Sequence, residues 1–126
     1  MRLLLRSALA GLTLLAFAAA PAHADSKGRF DVSAGSNARA HGDYSVNERA
    51  GDTRVWLMGQ LNKNYVAGCD WVEIGGRKKL VEKCNTQGWF SFKGYLDYGI
   101  LDSEAKVKVC HRYDGTTTCG TTKVRW

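Results

Sequence analysis

Pro21 is the only proline among 126 residues, and the sequence has no internal repeat and no low-complexity tract. After residue 24 it also lacks a helical hydrophobic period, which argues against an α/β plan. No apolar stretch follows the one at the amino terminus, so a transmembrane anchor is not expected. The cysteines form no paired C-x-x-C set, which leaves zinc without its usual ligand spacing. No G-x-S-x-G occurs, so the serines lack a nucleophile-elbow context. Only His41 and His111 remain beyond residue 24 to carry general acid and base steps. Neither a metal nor a cofactor is expected, and catalysis is the less favoured class.

The amino terminus is informative in a different way. Arg2 and Arg6 give a positive start, Leu9 to Ala20 are apolar apart from Gly11 and Thr13, and Ala22-His23-Ala24 is a small-residue cleavage site. This is the pattern of a secretory signal peptide over 1–24, with cleavage between Ala24 and Asp25 and a secreted, extracellular product. The compact Arg-Leu-Ala leader points to a bacterial source. No cysteine stands at the start of the mature chain to carry a lipid. Residues 25–126 would then form a single domain with sixteen basic and twelve acidic residues, a net charge of +4. A domain of this size is marginal without help, and disulfides in an oxidising compartment supply it.

Four cysteines permit three pairings, and turn chemistry selects one. Ala105 to Tyr113 alternates apolar and polar residues, Asp114-Gly115 follows, and a threonine-rich run from Thr116 leads to Trp126. Asp-Gly between two such runs signals a type I′ hairpin, because both central residues need positive φ. That register sets Tyr113 opposite Thr116, Arg112 opposite Thr117, His111 opposite Thr118 and Cys110 opposite Cys119. The remaining bond is Cys69 with Cys84, across a second hairpin that turns at Gly75-Gly76-Arg77-Lys78. Each bridge is expected to stabilise the fold by about 3 kcal/mol.

The other period-two segments are Arg29 to Ser33, Arg54 to Leu61 and Trp89 to Leu96. Together they predict an all-β domain, a small antiparallel sandwich or barrel of about six or seven short strands with two hairpin-crossing disulfides. Residues 34–52 are polar and glycine-containing, and read as a long loop, mobile or carrying an edge strand near Asp43 to Val46. In plan this resembles the small secreted apoproteins that carry enediyne chromophores. Gly68-Cys69-Asp70-Trp71-Val72 and Cys84-Asn85 are locally similar to them. Cysteine spacing, basic charge and tryptophan content depart from that family, so the resemblance implies layout and no ligand site.

Two features suggest a binding surface. The hairpin register puts Lys106 opposite Lys123 and Lys108 opposite Thr121, with Arg112 and Arg125 further along the same face. Lysines that guard a sheet edge against aggregation are the plainer account of such a stripe, but like charges facing each other cost stability, which tilts the reading toward a use. Trp56, Trp89 and Tyr95 occupy the strand parity opposite the aliphatic residues. Tryptophan is usually largely buried and a sandwich can bury both faces in part, so core packing is the plainer reading, while exposed rings there could stack on a sugar or anchor a partner. The expectation is a secreted, non-enzymatic binding module acting through Lys106, Lys108, Arg112, Lys123, Arg125, Trp89 and Tyr95. Its partner would be an anionic polymer, a cell-wall glycan or a protein, with nucleic acid less favoured. The alternatives are a small hydrolase of ribonuclease type using His41 and His111, or a carrier or inhibitor of a small ligand or protein. Asp97, Asp102 and Glu104 lie close in sequence but lack the strict spacing of a calcium loop, and are read as a solvated acidic connection.

Overall fold

A pleated strand sends alternate side chains to opposite faces, and the long strands of this chain follow that rule over most of their length. The computed structural model describes residues 26–49, with Arg49 as backbone only, and 51–126. The leader expected over 1–24 lies outside the described residues. The order is β1 (Ser26–Ala34), β2 (Ala38–Arg49), β3 (Asp52–Lys63), β4 (Cys69–Ile74), β5 (Lys78–Cys84), β6 (Gly88–Tyr98), β7 (Glu104–Tyr113) and β8 (Thr116–Arg125). No helix interrupts this order, so none of the described residues forms a helix able to cross a membrane. The strands build two antiparallel sheets of four, β1-β2-β3-β6 and β5-β4-β7-β8.

Hairpins join neighbours within each sheet, and the connections 64–68, 85–87 and 99–103 carry the chain from one sheet to the other. The inward residues of both sheets meet in one core, with Val55, Leu57 and Leu61 from β3 against Val72, Ile74, Val107 and Val109 from β4 and β7. The all-β sandwich agrees with the sequence. Eight strands form where six or seven are expected, because 34–52 is not a long loop with an edge strand. It contributes β2, a strand of 12 residues lying between β1 and β3.

The reason β2 escapes a sequence reading is its small inward residues, Ala38, Ala40 and Gly42. At Gly42 the space is taken by larger side chains from the two edge strands. Phe30, Gly42, Gly59 and Phe92 are successive partners across the four strands. With no side chain between them, the two phenylalanine rings approach to 6.2 Å. A Cβ on Gly42 would stand 2.2 Å from the Met58 carbonyl oxygen, so only glycine permits this backbone approach.

The last hairpin forms in the expected register, with Cys110 opposite Cys119 and His111 opposite Thr118. Asp114 and Gly115 both take positive φ, 51° and 77°, as a type I′ turn requires. Disulfides join Cys110 to Cys119 and Cys69 to Cys84, with Cα separations of 4.1 and 4.0 Å. In the other bridged hairpin Lys78 already pairs with Ile74, so the turn is Gly75-Gly76-Arg77 and the strand starts one residue earlier than read. Where the edges of the two sheets meet, β8 crosses β1 so closely that a Cβ on Gly120 would lie 1.7 Å from the Ser33 carbonyl oxygen.

Candidate functional site

The outer face of the first sheet collects the exposed side chains of four strands. Trp56 on β3 pairs directly with Tyr95 on β6, and their ring centroids are 4.7 Å apart. Arg54, one pleat away, places its guanidinium 3.9 Å from the Tyr95 centroid and donates to both Asp97 oxygens at 2.9 and 3.2 Å. That pairing raises the Arg54 pKa above its ordinary value. Lys78 reaches over from β5 to donate to the Tyr95 carbonyl at 2.8 Å. The next row across the sheet is Arg29, Asp43, Met58 and Lys93, and the row beyond it is Asp31, His41, Gln60 and Ser91. Trp89, 55% exposed, meets His41 edge-on at 5.5 Å.

Three shallow grooves run over this face. One, of about 360 Å³, is lined by Lys27, Asp43, Ser45, Trp56, Met58 and Lys93 with Gly28 and Tyr44. A second, about 590 Å³, shares Asp43, Met58 and Lys93 and adds His41, Gln60 and Ser91. The third shares His41 and Gly42 with the second and ends at Arg29, Asp31 and Arg39. Shared walls make them one track. Its rings and Met58 offer apolar contact, and its carboxylates, hydroxyls and amide offer hydrogen bonds at the margins, the mixture that small-molecule sites use. Asp31 is held below the usual carboxylate range by its hydrogen bond from Arg39.

The expected basic stripe lies elsewhere. Lys106 does face Lys123, and Lys108 faces Thr121, on the outer face of the second sheet. Glu104 accepts Lys123 at 3.2 Å and Arg125 at 3.5 Å, and Glu73 accepts Lys108 at 3.4 Å. Arg112 lies 5.5 Å from the Trp71 centroid, on the side chain that it helps to bury. Two carboxylates thus engage three of the stripe's five cations, and cancel two of its charges. Trp89 and Tyr95 stand on the first sheet, so the two halves of the expected site do not adjoin. Strand parity tells inward from outward, but not which of two sheets a strand joins.

A second polar assembly was not singled out from the sequence. Lys63, Asp70 and His111 all sit at inward parity and are buried. Lys63 Nζ donates to the carbonyls of Tyr65, Val66 and Ala67 at 2.6, 3.3 and 3.2 Å, and lies 4.0 Å from Asp70 Oδ2. His111 Nδ1 is hydrogen-bonded to Asp70 Oδ1, while Oδ2 receives no hydrogen bond. The ammonium thereby holds the 64–68 connection, and the carboxylate balances its charge and fixes the imidazole. The signal was present in the sequence as a lysine continuing Leu57 and Leu61 and an aspartate preceding Val72 in the same alternation.

His111 borders grooves formed with Asn37, Tyr65 and Tyr113, and His41 borders the track on the first sheet, so the two histidines share no groove. Among the described residues no cluster of three or more histidine, cysteine, aspartate or glutamate side chains could hold a metal ion. The acidic residues around 97–104 have structural partners: Asp97 has Arg54, Glu104 has Lys123, and Asp102 accepts the Gly99 amide at 2.9 Å.

No protein family, curated protein or solved structure matches the chain. The local likeness to enediyne-carrying apoproteins gains no support from these comparisons. The molecule itself offers two polar assemblies. One of them, around Lys63, is closed and structural, and the other is open to solvent.

Proposed function

We propose that this is an exported, non-enzymatic glycan-binding module whose combining surface is the outer face of the first sheet. The observation that carries the reading is the continuous track from Trp56 and Met58 to His41 and Arg39, in which an indole, a thioether and an imidazole lie among hydrogen-bonding side chains. A sugar ring presents an apolar face and a rim of hydroxyls, and such a track complements both. A connected track also suits a polymer better than a small enclosed ligand. Two disulfides and the charged leader support export, since such bonds persist in oxidising compartments. On the second sheet, ion pairs engage Lys108, Lys123 and Arg125, and none of the three grooves of the track lies there.

Co-sedimentation with insoluble polysaccharides, followed by tryptophan fluorescence titration with soluble fragments, tests the proposal. Trp56→Ala should weaken binding by at least about tenfold, as expected for a central aromatic anchor. Lys106→Gln, on the opposite sheet, should leave it unchanged. Failure of the protein to bind any polysaccharide, or equal binding by Trp56→Ala, would overturn the reading.

A further inference from the structure

Among the described side chains, the cations of the first sheet's outer face fall into two groups. Arg29, Arg39 and Arg54 each meet a carboxylate, Asp43, Asp31 and Asp97 respectively. Lys27 and Lys93 meet none among the described residues, and both line the groove that contains Trp56. Lys27 comes from the edge strand β1 and Lys93 from the edge strand β6, so the two ammonium groups approach the groove from opposite sides. Lys93 Nζ already lies 5.5 Å from the Trp56 ring centroid, drawn there by the negative ring face. A ring stacked on Trp56 would thus bring its substituents within reach of an uncompensated lysine on either flank.

We propose that the saccharide bound at Trp56 is acidic: a hexuronate-type pyranose whose carboxylate is taken by Lys27 or Lys93 while Asp43 and Ser45 accept its hydroxyl protons. This rests on the glycan-binding reading and narrows it to a ligand class. Asp43 also decides between kinds of anion. It lines the same groove, and although Arg29 lies 3.8 Å from it the carboxylate is exposed. One carboxylate per sugar can meet a lysine and avoid Asp43, whereas a ring sulfated at several positions cannot.

The test is affinity measurement of the folded protein with three soluble polymers, polygalacturonate, dextran sulfate and neutral dextran, at low and moderate salt. Polygalacturonate should bind most tightly and lose affinity as salt rises. The Lys27→Gln/Lys93→Gln variant, altered only at exposed side chains, should lose about tenfold in polygalacturonate affinity along with most of the salt dependence. Its binding to neutral dextran should stay at the parent level, and Lys106→Gln should behave as the parent. Equal binding of the acidic and neutral polymers, or an undiminished polygalacturonate affinity in the double variant, refutes the acidic ligand while leaving glycan binding intact. Tighter binding of dextran sulfate, or a loss in Lys106→Gln equal to that of the double variant, reduces the effect to general charge attraction and also refutes it. If no polymer binds and Trp56→Ala changes nothing, the glycan reading itself fails.

Discussion

Replacing Lys63 by methionine keeps most of the side-chain volume and deletes one buried ammonium. Lys63 and Asp70 both have side chains with no solvent exposure, so the substitution strands a carboxylate whose remaining partner is His111. Removing one member of a buried ion pair costs about 3–5 kcal/mol, because the survivor keeps its desolvation penalty without its compensation. The three carbonyls released from Lys63 add little, since residues 65–67 are exposed and water can replace the ammonium there. We therefore expect a loss of about 4 kcal/mol, a large part of the roughly 5–15 kcal/mol that holds a typical domain together. For a domain of this size that lowers the thermal midpoint by roughly 15–30 °C.

Urea unfolding followed by tryptophan fluorescence, with the disulfides intact, measures the effect at constant m. A second substitution separates charge from packing. Asp70→Asn alone should also destabilise, since it leaves the ammonium uncompensated. In the Lys63→Met background, however, it should recover about 2 kcal/mol by removing the stranded charge. A loss below about 1 kcal/mol for Lys63→Met, or simple additivity of the two substitutions, would refute the account of a coupled buried pair.

Three further outcomes follow from the same structure. Gly120→Ala should destabilise by about 2 kcal/mol or more, because its Cβ meets the Ser33 backbone and β8 must part from β1. Gly76→Ala, with open space around it and only a positive φ of 66° to strain, should cost about 1 kcal/mol, and paired thermal melts compare the two. Burial raises the Tyr98 pKa above the ordinary tyrosine value, an effect that nearby Arg77 opposes in part. Its contribution to stability is therefore complete below that ordinary value and is lost as pH rises through the raised one. Tyr98→Phe should flatten this alkaline loss in unfolding measured against pH. It should cost nothing at neutral pH, since the hydroxyl is buried without a hydrogen-bond partner. Converting both Cys110 and Cys119 to alanine should remove about 3 kcal/mol yet leave the hairpin register in place, visible as unchanged cross-strand amide contacts by NMR.

Local chemistry is legible in the sequence. Asp114-Gly115 specifies a turn with two positive φ angles, that turn specifies which residues face each other across β7 and β8, and the facing residues include Cys110 and Cys119. The second disulfide then follows by elimination. Inward and outward parity was also readable, which is why Trp56, Trp89 and Tyr95 stand on an outer face as their alternation implies. Where a strand's inward residues are alanine and glycine, as in the first half of β2, parity carries almost no signal, and at Gly42 the apolar volume comes from Phe30 and Phe92 on other strands.

Sheet membership lay beyond local chemistry, for a physical reason: a strand's own residues set its two faces, but the crossovers at 64–68, 85–87 and 99–103 decide which sheet it enters. Hence the basic stripe and the aromatic rings, both outward by parity, lie on opposite sides of the sandwich. The β7–β8 register already sets Glu104 opposite Arg125, whereas only tertiary contact gives Glu73 to the stripe and leaves Lys27 and Lys93 beside Trp56 with no ion pair among the described residues. It also brings Lys63, Asp70 and His111 into one buried group, since burial of a charge depends on finding its counter-charge at a distance in the chain. Local patterning sets most strands' faces and the disulfide staples. Only the fold decided which faces adjoin, and therefore where a ligand could be held.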